Sequence, residues 1–533
     1  MQDDPTQLRR REIGQWGLTA SRDYGLPFVD VDVEGTFAGP SGREFIVPGF
    51  YDGDRTWRVR FSPGEAGRWS YRIASRPDDA GLTAEGAFQV TPSQGRGFLR
   101  PTPGRAWGFH FESGEPVLVF GDTTYNLFGM AHCGGPVEQF LERRAGQGIN
   151  VLRVRLPVSP FHGPDGYSDW QTRRTWPWGG SEQSPQFDRF NLDYFRTVDR
   201  VLETCERLGM GLEMVMEAWG FEFPFSRRDE FVAEWELLWL RYLIARYDAY
   251  ASVWFWTLMN EYEYYPNGDW RYQGPLSDLW ATRIGRWVKR TAPHGHVVSV
   301  HNGPGDPPFA ERFRKDPGAV DHVMFQTWGT TDEKRGWLAA GIEEAVAKSL
   351  AGWRGTAVLA EYGYERDPEL DVRFPGHLHC DVDHTRRGGW RSLFCGLGVI
   401  HGWEHSWGPW MILERDQEGM PQFLLMRRFF REVVPFDAVR PAPGLVRGEY
   451  EWGRRPSALA SEGRDLVAVY LPTGGRVELD LPAEAGYAAQ WFDTRTGGMS
   501  NAEPAGGKGA LAFVGPEGGG DRPWDWVLVL RAT

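Results

Sequence analysis

Between about Arg105 and Asp437, short apolar β-prone runs alternate with helical periods, and this alternation narrows the fold more than any other feature of the chain. Parallel strands need a crossover that returns to the same edge, and a covering helix supplies it, so the pattern predicts an α/β domain with a parallel sheet. Eight runs qualify as strands: Val117–Phe120, Val151–Leu156, Leu212–Met216, Val253–Leu258, Val297–Val300, His322–Phe325, Ala357–Ala360 and Gly398–His401. Eight is the number that closes a (β/α)8 barrel. One crossover helix is explicit, with Phe195, Val198, Leu202, Cys205 and Leu208 at three- and four-residue spacing and Asn191 placed as its N-cap.

The residues that follow these runs are polar or aromatic. In order they are Asp122, Pro157, Glu217-Ala218-Trp219, Asn260-Glu261, His301-Asn302, Gln326-Thr327-Trp328, Glu361-Tyr362 and Gly402-Trp403-Glu404. Barrel enzymes keep their sites at the C-terminal ends of the strands, so a site is expected there.

The flanks read differently. From Gly14 to Val90, runs such as Thr56-Trp57-Arg58-Val59-Arg60-Phe61 alternate with period two between Gly, Pro and Asp punctuation, which predicts a β-sandwich over residues 1–95. Thr91–Gly104 reads as a Pro/Gly/Ser linker, the barrel as residues 105–437, and a second β-sandwich as residues 441–533.

Composition removes several functions. A formal net charge of −13 disfavours a nucleic-acid partner, and Arg9-Arg10-Arg11 is too short a basic run to reverse that. The four cysteines lack metal-site or disulfide-scaffold spacing. No apolar stretch is long enough to span a membrane, and the N-terminus lacks a signal-peptide pattern; a cytoplasmic location is expected, although a trimmed leader would leave the same sequence. His401-Gly402-Trp403-Glu404-His405 matches the H-x-x-E-H pattern of a zinc peptidase, but that pattern needs a helix and here follows a β-run, so neither a metal nor a cofactor is expected. Oligomeric state is not written in these features.

The chemistry that remains is carried by two carboxyl groups on two strand ends. Glycosidic bond cleavage needs one acid to protonate the leaving oxygen and one anion to meet the oxocarbenium-like centre. Glu261 is the expected general acid/base and Glu361 the expected nucleophile, kept ionised by Arg155 or Arg153; a structural ion pair would predict the same proximity. Asn260 is placed to hydrogen-bond the neighbouring sugar hydroxyl. Asp122, Arg155, His301, Trp328, Trp403, Glu217 and Trp219 complete the expected sugar-binding set, the tryptophans offering flat apolar faces for pyranose rings. A retaining enzyme requires the two carboxyls about 5–5.5 Å apart. The competing class is a carbohydrate-binding barrel without catalysis, which must explain why both glutamates stand at strand ends.

These residues resemble the large retaining clan of (β/α)8 glycoside hydrolases, where Asn-Glu ends strand four and Glu ends strand seven. More narrowly, Phe120-Gly121-Asp122-Thr123-Thr124-Tyr125-Asn126-Leu127-Phe128 and Leu359-Ala360-Glu361-Tyr362-Gly363 are similar to apiosidase-like, cellulase-type members. Pro48-Gly49-Phe50-Tyr51-Asp52-Gly53 and Gly67-Arg68-Trp69 resemble the β-sandwich that precedes those barrels, and the C-terminal module resembles the β-domain, labelled collagen-binding, that follows them. The resemblance implies a hydrolase acting on plant or microbial oligo- or polysaccharide. It also implies a tyrosine after strand six on the nucleophile, where this chain has Gln326-Thr327-Trp328.

Overall fold

The structure, a computed structural model, describes residues 1–157, 175–181, 184–217, 230–265, 274–303, 305–329, 336–367, 380–406, 411–481, 486–504, 510–519 and 522–533. Its centre is a closed barrel of eight parallel strands: β1 (Phe120–Thr123), β2 (Val151–Arg155), β3 (Gly211–Val215), β4 (Val253–Thr257), β5 (Val297–His301), β6 (His322–Gln326), β7 (Thr356–Glu361) and β8 (Gly398–His401). β8 pairs back onto β1, so no edge remains.

β2 to β8 coincide closely with the apolar runs of the sequence, and β1 does not. The run Val117–Phe120 was expected as the strand, but the ladder starts at Phe120 and Asp122 lies within it, paired with Leu152 and His401. Val117 and Val119 instead join the apolar cluster that fills the barrel's N-terminal end, with Val151, Phe255, Val297, Met324, Val358 and Ile400. The expected linker is also structured: Leu99–Pro101 pairs with Phe109–Phe111, and Leu99, Phe109 and Phe111 belong to the same cluster. The hairpin thus closes the lower mouth of the barrel. Pro101 is compatible with a two-stranded hairpin because a strand edge demands no further donor.

The helix predicted around Phe195 spans Leu192–Leu208. Asn191 Oδ1 accepts from Tyr194 N at 3.3 Å, and the helix ends at Gly209 in the left-handed region. Its buried face carries Phe195, Val198, Leu202 and Cys205, as the spacing required.

On the N-terminal side, two sheets of four and five strands pack around Trp16, Phe37, Trp57, Phe61 and Trp69. On the C-terminal side, sheets of six and three strands enclose Val467, Val469, Leu471, Phe513 and Leu528. Each module is fastened to the barrel by a buried ion pair. Arg60 of the first β-domain meets Asp199 at 2.9 Å, with Arg246 on the same carboxylate at 2.6 Å. Asp525 of the second receives Arg386 at 2.8 Å and lies 3.4 Å from Arg387, and these two arginines hold its carboxyl far below the ordinary range against the opposing effect of burial. Removing one partner of such a pair strands a desolvated charge, so these contacts fix how the modules seat on the barrel.

Candidate active site

Inward-facing positions on β2 to β7 change character toward the C-terminal ends of the strands. Arg153 and Glu213 are direct ladder partners on β2 and β3, so both side chains emerge on one face. Thr257 donates to Glu213 Oε1 at 2.9 Å and meets Ser299 Oγ at 2.8 Å.

Glu361 ends β7, where the register slips by one: Phe325 pairs with Leu359, then Gln326 with Glu361. The bulge lets Ala360 join the interior apolar cluster while Glu361 still reaches the interior polar groups. Its Oε2 accepts from Arg153 Nη1 at 3.0 Å and from the Tyr125 hydroxyl at 3.1 Å, and its Oε1 from Gln326 Nε2 at 2.7 Å. These three donors fix the carboxylate's orientation. The tyrosine that the resemblance placed after β6 is therefore replaced by two groups: Gln326 at the end of β6, and Tyr125 just beyond β1. Tyr125 is in turn held by the Tyr364 hydroxyl at 3.0 Å, and Arg155 covers its ring at 3.9 Å.

Glu261 follows β4 in the left-handed region, φ 53° and ψ 58°, although it carries a side chain. Such a conformation costs on the order of 1–3 kcal/mol and persists only where its surroundings enforce it. Its backbone N–H donates to His301 Nδ1 at 3.2 Å, so Nδ1 is unprotonated and the ring proton sits on Nε2, 3.6 Å from Glu361 Oε2. Burial, reinforced by Arg153 and Arg155, holds the His301 imidazole well below its ordinary pKa and therefore neutral. Glu261 itself is pushed up to about 8, by burial first and then by the charges of Glu361 and Glu263. Glu261 and Glu361 keep 7% and 5% exposure, whereas Glu213 and Asp122 have none.

The expected set divides on this geometry. Asn260 turns its Oδ1 to Arg153 Nη2 at 2.6 Å, and Trp328 stands half-buried beside Tyr364, so both join the site with His301. Arg155 is fully buried over Tyr125; Arg153, not Arg155, is the direct partner of Glu361. Asp122 is a correction: it is sealed in an ion pair with Arg144 at 2.7 Å and lies 3.5 Å from His401, out of reach of any sugar. Trp403 is also buried, edge-on to His405 at 4.2 Å and under the Arg415 guanidinium, so it packs rather than offering a face. Glu217 is buried at the end of β3, its carbonyl accepting from Asn260 N at 3.0 Å. Trp219 lies outside the described residues. His401 and His405 are taken by Glu365 and Gln417 and by Asp367, on a strand end and a short 3-10 turn rather than one helix face. Among the described residues, no group of three or more His, Cys, Asp or Glu is placed to hold a metal ion.

Tyr125 and Gln326 escaped strand-end reasoning for different reasons. Tyr125 lies beyond a strand that the apolar run places too early, and Gln326, although it follows the sixth run, stands where the resemblance implies a tyrosine.

Comparison with known proteins agrees with this architecture. A "putative glycoside hydrolase" from Bacteroides vulgatus ATCC 8482 superposes with a TM-score of 0.72 at 18% identity, covering 100% of both chains. A glycoside hydrolase family 5 protein from the same organism gives 0.58 at 17% identity, over 82% of this chain and 94% of its own. At such identities the likeness is one of fold. A search of curated proteins gives no match. Residues 11–76 match a domain of unknown function (DUF5060) and residues 441–531 a "putative collagen-binding domain of a collagenase". Residues 108–426, which contain the barrel and both glutamates, match the apiosidase-like catalytic domain, and the chain belongs to that family.

Proposed function

We propose that the protein is a retaining glycoside hydrolase that cleaves plant or microbial oligo- or polysaccharide by double displacement on Glu261 and Glu361. The observation that carries this reading is the opposite treatment of two neighbouring carboxyls. Glu361 accepts hydrogen bonds from Arg153, Tyr125 and Gln326, while Glu261 is pushed up to about 8 and is protonated at neutral pH.

In the first step a Glu361 oxygen bonds to the anomeric carbon, the glycosidic C–O bond breaks, and the Glu261 proton passes to the leaving oxygen. Glu361 is then a neutral ester. Its charge was one of the causes holding Glu261 up, so Glu261 becomes a better base when a base is needed. In the second step Glu261 takes a proton from water, whose oxygen bonds to the anomeric carbon as the ester bond breaks, returning Glu361 as carboxylate and the sugar with its configuration retained. With Asn260 Oδ1 committed to Arg153, its NH2 group is the donor for the hydroxyl beside the anomeric centre. Trp328 offers an apolar face at the same end.

A panel of aryl glycosides and plant-wall oligosaccharides tests this reading. Turnover by the parent protein, lost in both Glu361→Gln and Glu261→Gln while the thermal unfolding midpoint stays within a few degrees, is the expected result. Turnover that survives Glu361→Gln would remove the nucleophile assignment, and undiminished sugar binding without turnover in the parent would favour the non-catalytic carbohydrate-binding class.

A further inference from the structure

Glu213 has no place in the two-step reaction, yet it is fully buried beside the arginine that holds Glu361. It sits fully buried on β3, 3.4 Å from Arg153 Nε, on the opposite edge of the guanidinium from Glu361. Arg153 is itself fully buried and divides its donors between Glu361, Asn260 and the Ala360 carbonyl. Neither Arg153 Nε nor Glu213 Oε2 makes a hydrogen bond. The pair is close in charge but not closed in geometry.

Esterification of Glu361 deletes the carboxylate that Arg153 faces, leaving a buried cation that the low-dielectric interior does not tolerate alone. Resting on the double-displacement reading, we propose that Glu213 is a positioning residue that serves as the standby counter-ion of Arg153, holding it in place through the covalent intermediate. The resting state fits this role. Burial pushes the Glu213 carboxyl up, the Glu361 charge adds to that rise, and Arg153 and the Thr257 hydroxyl oppose it. When Glu361 becomes neutral, one raising cause disappears, and Glu213 ionises more readily at the moment its charge is needed. Thr257, braced by Ser299, keeps Oε1 fixed so that Oε2 faces the guanidinium.

The role makes a prediction that a merely structural residue does not. Without Glu213 to answer it, the Arg153 cation stands alone in the ester and in the transition state that leads to it, slowing formation of the ester and hastening its return to carboxylate. The test uses the full chain and a set of 2,4-dinitrophenyl 2-deoxy-2-fluoro-β-glycosides (gluco, manno, galacto, xylo), with intact-mass detection of the adduct, peptide mapping to Glu361, and the half-life of the isolated adduct. In Glu213→Gln the adduct is expected to form more slowly and decay about tenfold faster than in the parent, the factor expected for one weakened buried charge contact. Equal lifetimes in parent and variant would overturn the proposal while leaving the retaining reading intact. Absence of an adduct on the parent would overturn the retaining reading and the proposal with it. Should Glu213→Gln fail to fold, Glu213→Asp draws the charge back by one methylene and is expected to shorten the lifetime less; an unaltered lifetime there is equally decisive against the role.

Discussion

The two ends of the barrel interior are built from the same strands and obey opposite rules. Two residues separate them: Val151 below and Arg153 above on β2, Phe255 and Thr257 on β4, Val297 and Ser299 on β5, Met324 and Gln326 on β6. Because successive side chains alternate across a strand, one pleat step of two residues replaces filler by chemistry without disturbing the ladder. The lower end gains by excluding water from apolar surface. The upper end loses by burying charge, and that loss is lessened at Glu361 by pairing with Arg153, at Glu261 by protonation and at His301 by staying neutral.

The largest effect that would sharpen this contrast is Glu361→Gln. Loss of the nucleophile is expected to reduce kcat/KM by roughly 10⁴-fold or more with little change in stability. Phe255→Ala, one pleat step below the site and fully buried, should do the reverse. We expect about 3–5 kcal/mol lost from unfolding free energy in urea titration, with the kcat of the remaining folded protein within a few-fold of the parent. A large kcat loss in Phe255→Ala at intact stability would break the division between the two ends.

The pH profile gives a subtler measure. Glu261 must be protonated to act as acid, so kcat/KM is expected to fall as pH rises through about 8. Glu263, on the turn behind Glu261, is one of the charges that raises it. Glu263→Gln removes that repulsion, lowers the Glu261 pKa and should move the alkaline limb downward by roughly half a unit to one unit. An upward shift would contradict the assigned cause. Smallest of all is Asp122→Asn: its carboxylate is sealed against Arg144 away from both glutamates, so stability is expected to fall while KM remains within about twofold, as for a residue that makes no substrate contact.

What the sequence disclosed follows the same physics. Runs such as Val253–Leu258 and His322–Phe325 are almost continuously apolar because strands covered on both faces have no polar side to show, and that pattern survives in one dimension. Val117–Phe120 has the same pattern for another reason: only Phe120 is in the ladder, while Val117 and Val119 plug the barrel below it, and composition does not distinguish the two. Asn260-Glu261 and Glu361 were legible because a strand end is a position along the chain. Tyr125 was not, since its hydroxyl reaches Glu361 across 236 positions of sequence. Asp122 and Trp403 show the converse. Both stand near strand ends, and both are taken up by neighbours, Arg144 and His405, that only the fold brings beside them.

The central claim is that Glu261 and Glu361 act in turn on one anomeric carbon. Its most direct test is the configuration of the first product, followed by proton NMR of the anomeric signal in the first minutes of hydrolysis, before mutarotation. The account predicts that the released sugar carries the configuration of the substrate; an initially inverted anomer would contradict it.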